Sequence, residues 1–300
     1  MGGAVIKESP SIFFQDLVRM TKPRIIAELL VTTAAAMVVA ARGLPALNVV
    51  GATLLGGALC AGAAATYNQL FDRDIDLVMQ RTRSRPLPAA RLRVPVAFWW
   101  GIVLLVLSVL VLGFGVSWLA AGLASTGFVI YVGVYTLWLK RRSTQNIVIG
   151  GAAGAIPPMV GWVAGAGHLD IAALVLFMVI FIWTPPHFWA LALVRKHDYA
   201  RAGVPMLPVV QGDAVTRRHI FVYSLALVTA SLVLIPVNGM GWIYSAASIL
   251  LGLVFVYRAW QLLRAKDTNS AWRLYKYSIT YLTLVFAAMV VDTVLPVLGN

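Results

Sequence analysis

Disulfide bonds within the chain are excluded at once, because its 300 residues include one cysteine, Cys60. It falls inside an apolar run and reads as a small packing residue. Charge is the next scarcity. Charged residues make up 12% of the chain, against about 25% in a soluble globular domain. Acids are the rarest: 11 Asp and Glu stand against 24 Lys and Arg. Residues 47–70 carry no charge, and residues 25–41 carry one acid, Glu28, and no base. About 20 apolar residues are enough to cross about 30 Å of hydrocarbon. These scarcities rule out a soluble enzyme and a disulfide-stapled scaffold. The start of the chain lacks a short apolar core with a small-residue cleavage site, and it lacks an Arg/Ser-rich amphipathic stretch. The first span is therefore expected to act as its own insertion signal.

The apolar runs predict an all-α polytopic membrane protein. Nine spans fall at roughly 25–41, 47–70, 95–113, 116–139, 145–166, 169–194, 218–236, 240–263 and 274–296. Residues 25–296 form the transmembrane domain. Residues 1–24 precede it, and Phe13, Leu17 and Met20 share one helical stripe, which predicts an interfacial helix near 11–20.

Base is what the sequence has in excess, with a net charge of +13. Lys7, Arg19, Lys22 and Arg24 precede the first span. Arg73, Arg81, Arg83, Arg85, Arg91 and Arg93 follow the second, and Lys140, Arg141 and Arg142 follow the fourth. Arg195, Lys196, Arg201, Arg217 and Arg218 follow the sixth. Arg258, Arg264, Lys266, Arg273 and Lys276 flank the connection from eighth to ninth. With alternating spans, every base except Arg42 lies on one face. The positive-inside rule makes that face cytoplasmic, with the N-terminus inside and the C-terminus outside. Topology accounts for the charge, so membrane lipid is an expected partner and nucleic acid is not.

Two connections are long and charged, 71–94 and 195–217. They follow the second and sixth spans, as a parallel repeat of spans one to four in spans five to eight requires. Pro157-Pro158 and Pro185-Pro186 interrupt the fifth and sixth spans. Both a cavity wall and plain helix packing accommodate such prolines.

The densest polar pattern is YNQLFDRDIDLVMQRTRSRPLP, residues 67–88. Asn68, Asp72 and Asp76 recur every four residues. Each step of four on a helix turns about 40° and rises about 6 Å, so the three polar ends share one side. They begin in the last apolar turn of the second span. Asp74 is two residues off and points elsewhere. Carboxylates and an amide at the membrane edge suit Mg²⁺, an ion that joins protein carboxylates to substrate phosphates. Arg81, Arg83 and Arg85 follow directly, and arginine takes phosphate in bidentate fashion. Acids that hold a metal beside bases that hold phosphate make a diphosphate site. Solvated loop charges, with Arg73 paired to an acid, are the bland alternative, and they leave the spacing and depth unexplained.

The run N-x-x-x-D-x-x-x-D followed by M-x-R-T-x-x-R-P-L resembles the first signature of the UbiA-type intramembrane prenyltransferases. That resemblance implies a nine-helix bundle around a central cavity open to the cytoplasmic side, in a bacterial inner membrane. TPPHFWALALVRKHDYARAGVPMLPVVQG, residues 184–212, is similar to the protohaem farnesyltransferase branch. TKPR at 21–24, RSRPLP at 83–88 and LYKYSITYLTLVF at 274–286 are similar to it too, so the resemblance covers nearly the whole chain. There are departures. Asp198 stands alone where many relatives carry a second acidic pair, and position 202 is Ala. Ala89-Ala90 stand where members often have glycine, which puts the loop geometry in doubt.

What the resemblance implies can be stated by residue. Mg²⁺ is held by Asp72 and Asp76, with Asn68 assisting and Asp198 on a second ion. Farnesyl diphosphate and haem b are the substrates. Arg81, Arg85 and Lys196 neutralise the departing diphosphate, and Arg195 joins the substrate-binding set. Trp183, Phe188 and Trp189 offer aromatic faces to an allylic cation. His187 ligates or orients haem iron, or else simply bonds a neighbouring helix. Tyr277, with Tyr275 and Lys276, meets the haem propionates or anchors the interface. A downstream haem A synthase is a candidate partner. Two other functions fit parts of the pattern. One is prenylation of an aromatic quinone precursor. The other is secondary transport, which shares broken helices and intramembrane acids but places its site near the midplane. Glu28 is an ionisable group inside a span and so a functional candidate, or an acid that snorkels to the nearby surface.

Overall fold

A computed structural model describes residues 10–265 and 267–298. Lys7 and Lys266, two of the bases assigned to the cytoplasmic face, lie outside the described residues, as does the end of the chain at 299–300. The first helix, α1, is Pro10–Met20. It turns Asp16, Leu17 and Met20 inward and leaves Ile12, Phe13, Phe14 and Val18 exposed. Phe13 thus departs from the stripe that the spacing predicts.

Nine helices among the described residues are long and apolar enough to cross a membrane. They are α2 (Pro23–Ala40), α3 (Leu47–Phe71), α5 (Val94–Gly115), α6 with its continuation (Trp118–Arg141) and α7 (Asn146–Ala166). The remaining four are α8 (Ile171–Val194), α11 (Gly212–Asn238), α12 (Trp242–Ala265) and α13 (Thr268–Leu298). Three short helices, α4 (Arg73–Val78), α9 (Lys196–Arg201) and α10 (Leu207–Val210), fall in the two long connections. The chain is an all-helical, multi-pass membrane protein. Composition locates the spans well, but α11 and α13 begin well before the apolar runs at 218 and 274. Charged residues end an apolar run without ending a helix.

The fifth and sixth spans form the middle of the bundle. In each, 61% of the central window is buried, against 28–44% in the other spans. Their proline pairs sit inside continuous helices. Close approach of α7 to α2 depends on glycine. A Cβ on Gly161 would stand 2.2 Å from the Thr33 carbonyl oxygen, and one on Gly165 would stand 2.4 Å from that of Met37. Small residues let membrane helices meet backbone to backbone in this way. Trp183 Nε1 donates to the Ser278 carbonyl at 2.8 Å and ties α8 to α13.

The two long connections meet at one end of the bundle. A cavity of about 320 Å³ there is lined by Asp74, Ile75, Val78 and Arg141 from one side and Arg201 to Val204 from the other. A short helix directly after a span in each connection is the arrangement a parallel repeat predicts.

Candidate active site

The carboxylate motif straddles a break in the helix. α3 ends at Phe71 and α4 starts at Arg73, yet the Asp72 N–H still donates to the Asn68 carbonyl at 3.0 Å. The Asp76 N–H donates to the Asp72 carbonyl at 2.8 Å. The four-residue register therefore survives the break, and all three side chains turn inward. Asn68, Asp72 and Asp76 are 3%, 0% and 2% exposed. Carboxylates that deep need partners. Lys140 donates to Asp72 Oδ2, and Arg85 donates to Asp76 Oδ2 at 2.6 Å. Asp74 faces the other way, as the spacing predicts. It forms a two-pronged pair with Arg141, each contact 2.7 Å, and that guanidinium holds its carboxyl down to about 2.

Lys22 completes the cluster. It sits in left-handed backbone at φ 57, just before α2, and donates to Asn68 Oδ1 at 2.7 Å. Burial, helped by the nearby cations Arg85 and Lys140, pushes its ammonium down to about 7 against the pull of Asp72 and Asp76. A strained residue at such a place marks a site where the fold holds a side chain on purpose. Asn68 Nδ2 donates to Asp72 Oδ2 at 2.7 Å and to Thr136 Oγ1 at 3.1 Å. Thr136 reaches it from a π-helical stretch, Ile130–Trp138, that continues α6. The Thr136 hydroxyl donates five residues back to the Tyr131 carbonyl at 2.8 Å, so it must accept from Asn68. Nothing in the composition of 130–138 signals a π-helix, a form that recurs at functional sites.

The second loop supplies a smaller cavity of about 180 Å³, lined by Arg81, Leu191, Arg195, Asp198, Tyr199, Trp272 and Tyr275. Arg81 from the first loop thus meets Arg195 and Asp198 from the second. Behind Tyr275 lies His187, with ring centroids 4.8 Å apart. His187 stacks on Trp183 at 4.3 Å and meets Phe188 edge-on at 5.1 Å.

A model of the UbiA prenyltransferase family matches residues 29–286. The chain belongs to that family. Its relatives include the protoheme IX farnesyltransferase of Thermosynechococcus vestitus, 53% identical over 282 residues, which are 93% of this chain and 89% of that protein. The protoheme IX farnesyltransferase of Chloroflexus aurantiacus is 52% identical over 277 residues, or 92% of this chain. The chain spans about half of that longer protein, 47% of its length. Solved structures share the fold at low identity. A digeranylgeranylglyceryl phosphate synthase superposes with a TM-score of 0.80 at 16% identity, over 94% of this chain and 98% of that one. A UbiA homologue from Archaeoglobus fulgidus, bound to GPP and Mg²⁺, superposes with a TM-score of 0.67 at 18% identity, over 91% and 99% of the two chains.

The UbiA-family site corrects several expectations. Asn68 Oδ1 accepts from Lys22, and its amide nitrogen donates to Asp72 and so orients that carboxylate. Lys196 donates to Asp213 at 2.8 Å and does not line the cavity that holds Asp198. Asp198 pairs with Arg201 on its own helix. It does not join Asp72 and Asp76 in a three-acid site among the described residues. Tyr277 faces α12, where its hydroxyl donates to the Leu251 carbonyl at 2.9 Å. Tyr275, two residues back on α13, is the tyrosine at the cavity. Trp189 packs on His219 and Tyr223 of α11, away from Trp183. Lys22 and Lys140, which in sequence are only two bases of the cytoplasmic face, join the site.

Whether the acids suit a metal can be judged from one atom. Asp72 Oδ1 is sealed from solvent and has no hydrogen-bond partner among the described residues. Arg141 Nη2 stands 4.0 Å from it, beyond hydrogen-bond reach. A buried carboxylate oxygen without a donor is costly, and a hard cation satisfies it. Asp72 and Asp76 therefore fit Mg²⁺.

Proposed function

We propose that this chain transfers a farnesyl group from farnesyl diphosphate to a vinyl group of protohaem IX, with addition of water, giving haem O. The single observation that carries the reaction type is the buried Asp72–Asp76 pair ringed by Lys22, Lys140 and Arg85. The haem acceptor is supported by relatives near 50% identity that carry that name over most of this chain.

Asp72 and Asp76 hold Mg²⁺, which when bound neutralises charge on the diphosphate. Asn68 keeps Asp72 in place. Lys140 and Arg85, with Lys22 when protonated, supply positive charge where the leaving group gains negative charge, which is where such charge lowers a barrier most. The side chains of Arg81 and Arg195 have no hydrogen bond or ion pair to another described residue, so both are available to the anion as it departs. As the C–O bond breaks, the allylic carbon becomes cationic. The vinyl group attacks it, a C–C bond forms, and water adds to the resulting cation with loss of a proton. Tyr275 lines the smaller cavity, and His187 packs against the rings of both Tyr275 and Trp183. The excess of bases on one end supports an N-terminus on the cytoplasmic side of a bacterial inner membrane, with α1 at its surface. The product leaves as substrate for a downstream haem A synthase.

The test is direct. Membranes containing the protein are incubated with protohaem, farnesyl diphosphate and Mg²⁺, and the haems are extracted for chromatography and mass spectrometry. A Mg²⁺-dependent haem heavier by a farnesyl group and a hydroxyl is expected. Prenylation of an aromatic acid instead would keep the family chemistry and discard haem as acceptor.

A further inference from the structure

Ser278 on α13 has one hydroxyl hydrogen, which it donates to the Tyr275 carbonyl at 2.7 Å. The same oxygen lies 2.7 Å from His187 Nδ1. Ser278 donating to that carbonyl leaves its oxygen to accept from the imidazole, an arrangement that puts the proton on Nδ1. His187 is 7% exposed, and no carboxylate pairs with it among the described residues. An enclosed ring without a counter-ion is neutral. A neutral imidazole with Nδ1 protonated carries its lone pair on Nε2.

No described group bonds Nε2, and Nε2 is not among the sealed polar atoms that lack a partner, so it keeps accessible surface. Three aromatic rings hold the imidazole in place: Trp183 at 4.3 Å, Tyr275 at 4.8 Å and Phe188 at 5.1 Å. Trp183 is fixed in turn by the Ser278 carbonyl. Proteins fix metal-binding histidines by this device, in which the second ring nitrogen donates to a neighbouring oxygen.

We infer that Ser278 is a positioning residue that sets the tautomer of His187, so that Nε2 presents its lone pair to the iron of the acceptor porphyrin. The inference rests on the proposed haem acceptor. Its consequence is specificity: the protein selects an iron porphyrin over the same ring without metal, and the iron bond fixes the position of the vinyl groups.

Binding tests this without any turnover. Ferric protohaem and metal-free protoporphyrin IX are titrated into detergent-purified protein, and the Soret band and electron paramagnetic resonance are followed. Unaltered protein should bind protohaem at least about tenfold more tightly and show a histidine-ligated signal. Ser278→Ala should weaken that signal and the preference, and Ser278→Thr should restore both. His187→Ala should lose the signal and regain it with added imidazole. Equal affinity for the two porphyrins in the unaltered protein overturns the inference. So does a Ser278→Ala signal identical to that of the unaltered protein. The two readings fail separately. Ligated haem without farnesylated product removes the proposed reaction and leaves this inference standing. Equal farnesylation of both porphyrins does the reverse.

Discussion

Lys22 and Asn68 are 46 positions apart in sequence, and the Lys22 ammonium donates to Asn68 Oδ1 at 2.7 Å. That bond fixes which way the amide faces, and the amide fixes Asp72. Lys22→Met should therefore lower farnesyl transfer by about tenfold to a hundredfold, the range set by losing one charged hydrogen bond. Rates of both single variants and the double variant with Asn68→Ala check this. Residues acting as one unit give a double variant little worse than either single. Losses that multiply would separate the two side chains.

Asp72→Ala and Asp76→Ala should each reduce turnover by about a thousandfold or more, the scale of removing preorganised charge stabilisation. Both variants should still insert in the membrane. A chelator should silence the unaltered protein, and added Mg²⁺ should restore it. Full activity in either variant would remove the metal assignment.

Tyr275 and Tyr277 give a paired comparison. Tyr275→Ala should raise KM for protohaem several-fold, because its ring lines the cavity and touches His187. Tyr277→Phe should leave KM within about twofold, since it removes a surface-independent bond to the Leu251 carbonyl worth about 1 kcal/mol. The reverse order would return Tyr277 to the site.

Asp16 in α1 is fully enclosed, with Arg91 Nε at 2.7 Å and Arg19 Nη1 at 3.2 Å. Burial pushes its carboxyl up, but the two guanidiniums outweigh burial and hold it below the usual value of 3.8. A carboxylate lowered in the fold stabilises it above the unfolded value, and that contribution disappears as pH falls through the folded value. The thermal midpoint of the detergent-solubilised protein should fall below about pH 4. Asp16→Asn should flatten that fall and cost about 2 kcal/mol at neutral pH.

Ala90 sits at φ 56, in the left-handed backbone that glycine adopts most easily. A Cβ there costs about 1–2 kcal/mol. Ala90→Gly should raise the thermal midpoint, with activity unchanged. A drop would show that the loop conformation is held by something glycine loosens.

Much of the architecture could be read before any coordinates. Apolar length located the nine spans because hydrocarbon admits nothing else. The four-residue spacing put Asn68, Asp72 and Asp76 on one side, because hydrogen bonds of helical register persist across the break at Asp72. The site's cations were less legible. Lys22, Lys140 and Arg81 look alike in a sequence, as bases flanking spans. Their different partners come from contacts made by other helices.

The sequence by itself determined the solvent, the helix count and the acids that face inward, since each follows from local composition and period. Only the tertiary structure decided that Asn68 bonds Asp72, that Lys196 turns to Asp213, and that Tyr275 rather than Tyr277 lines the cavity. It also brought Ser278, 91 residues away, within 2.7 Å of His187 Nδ1. The physical reason is the same in each case. A hydrogen bond is assigned by which donor arrives in the right direction, and direction is set by how distant helices pack.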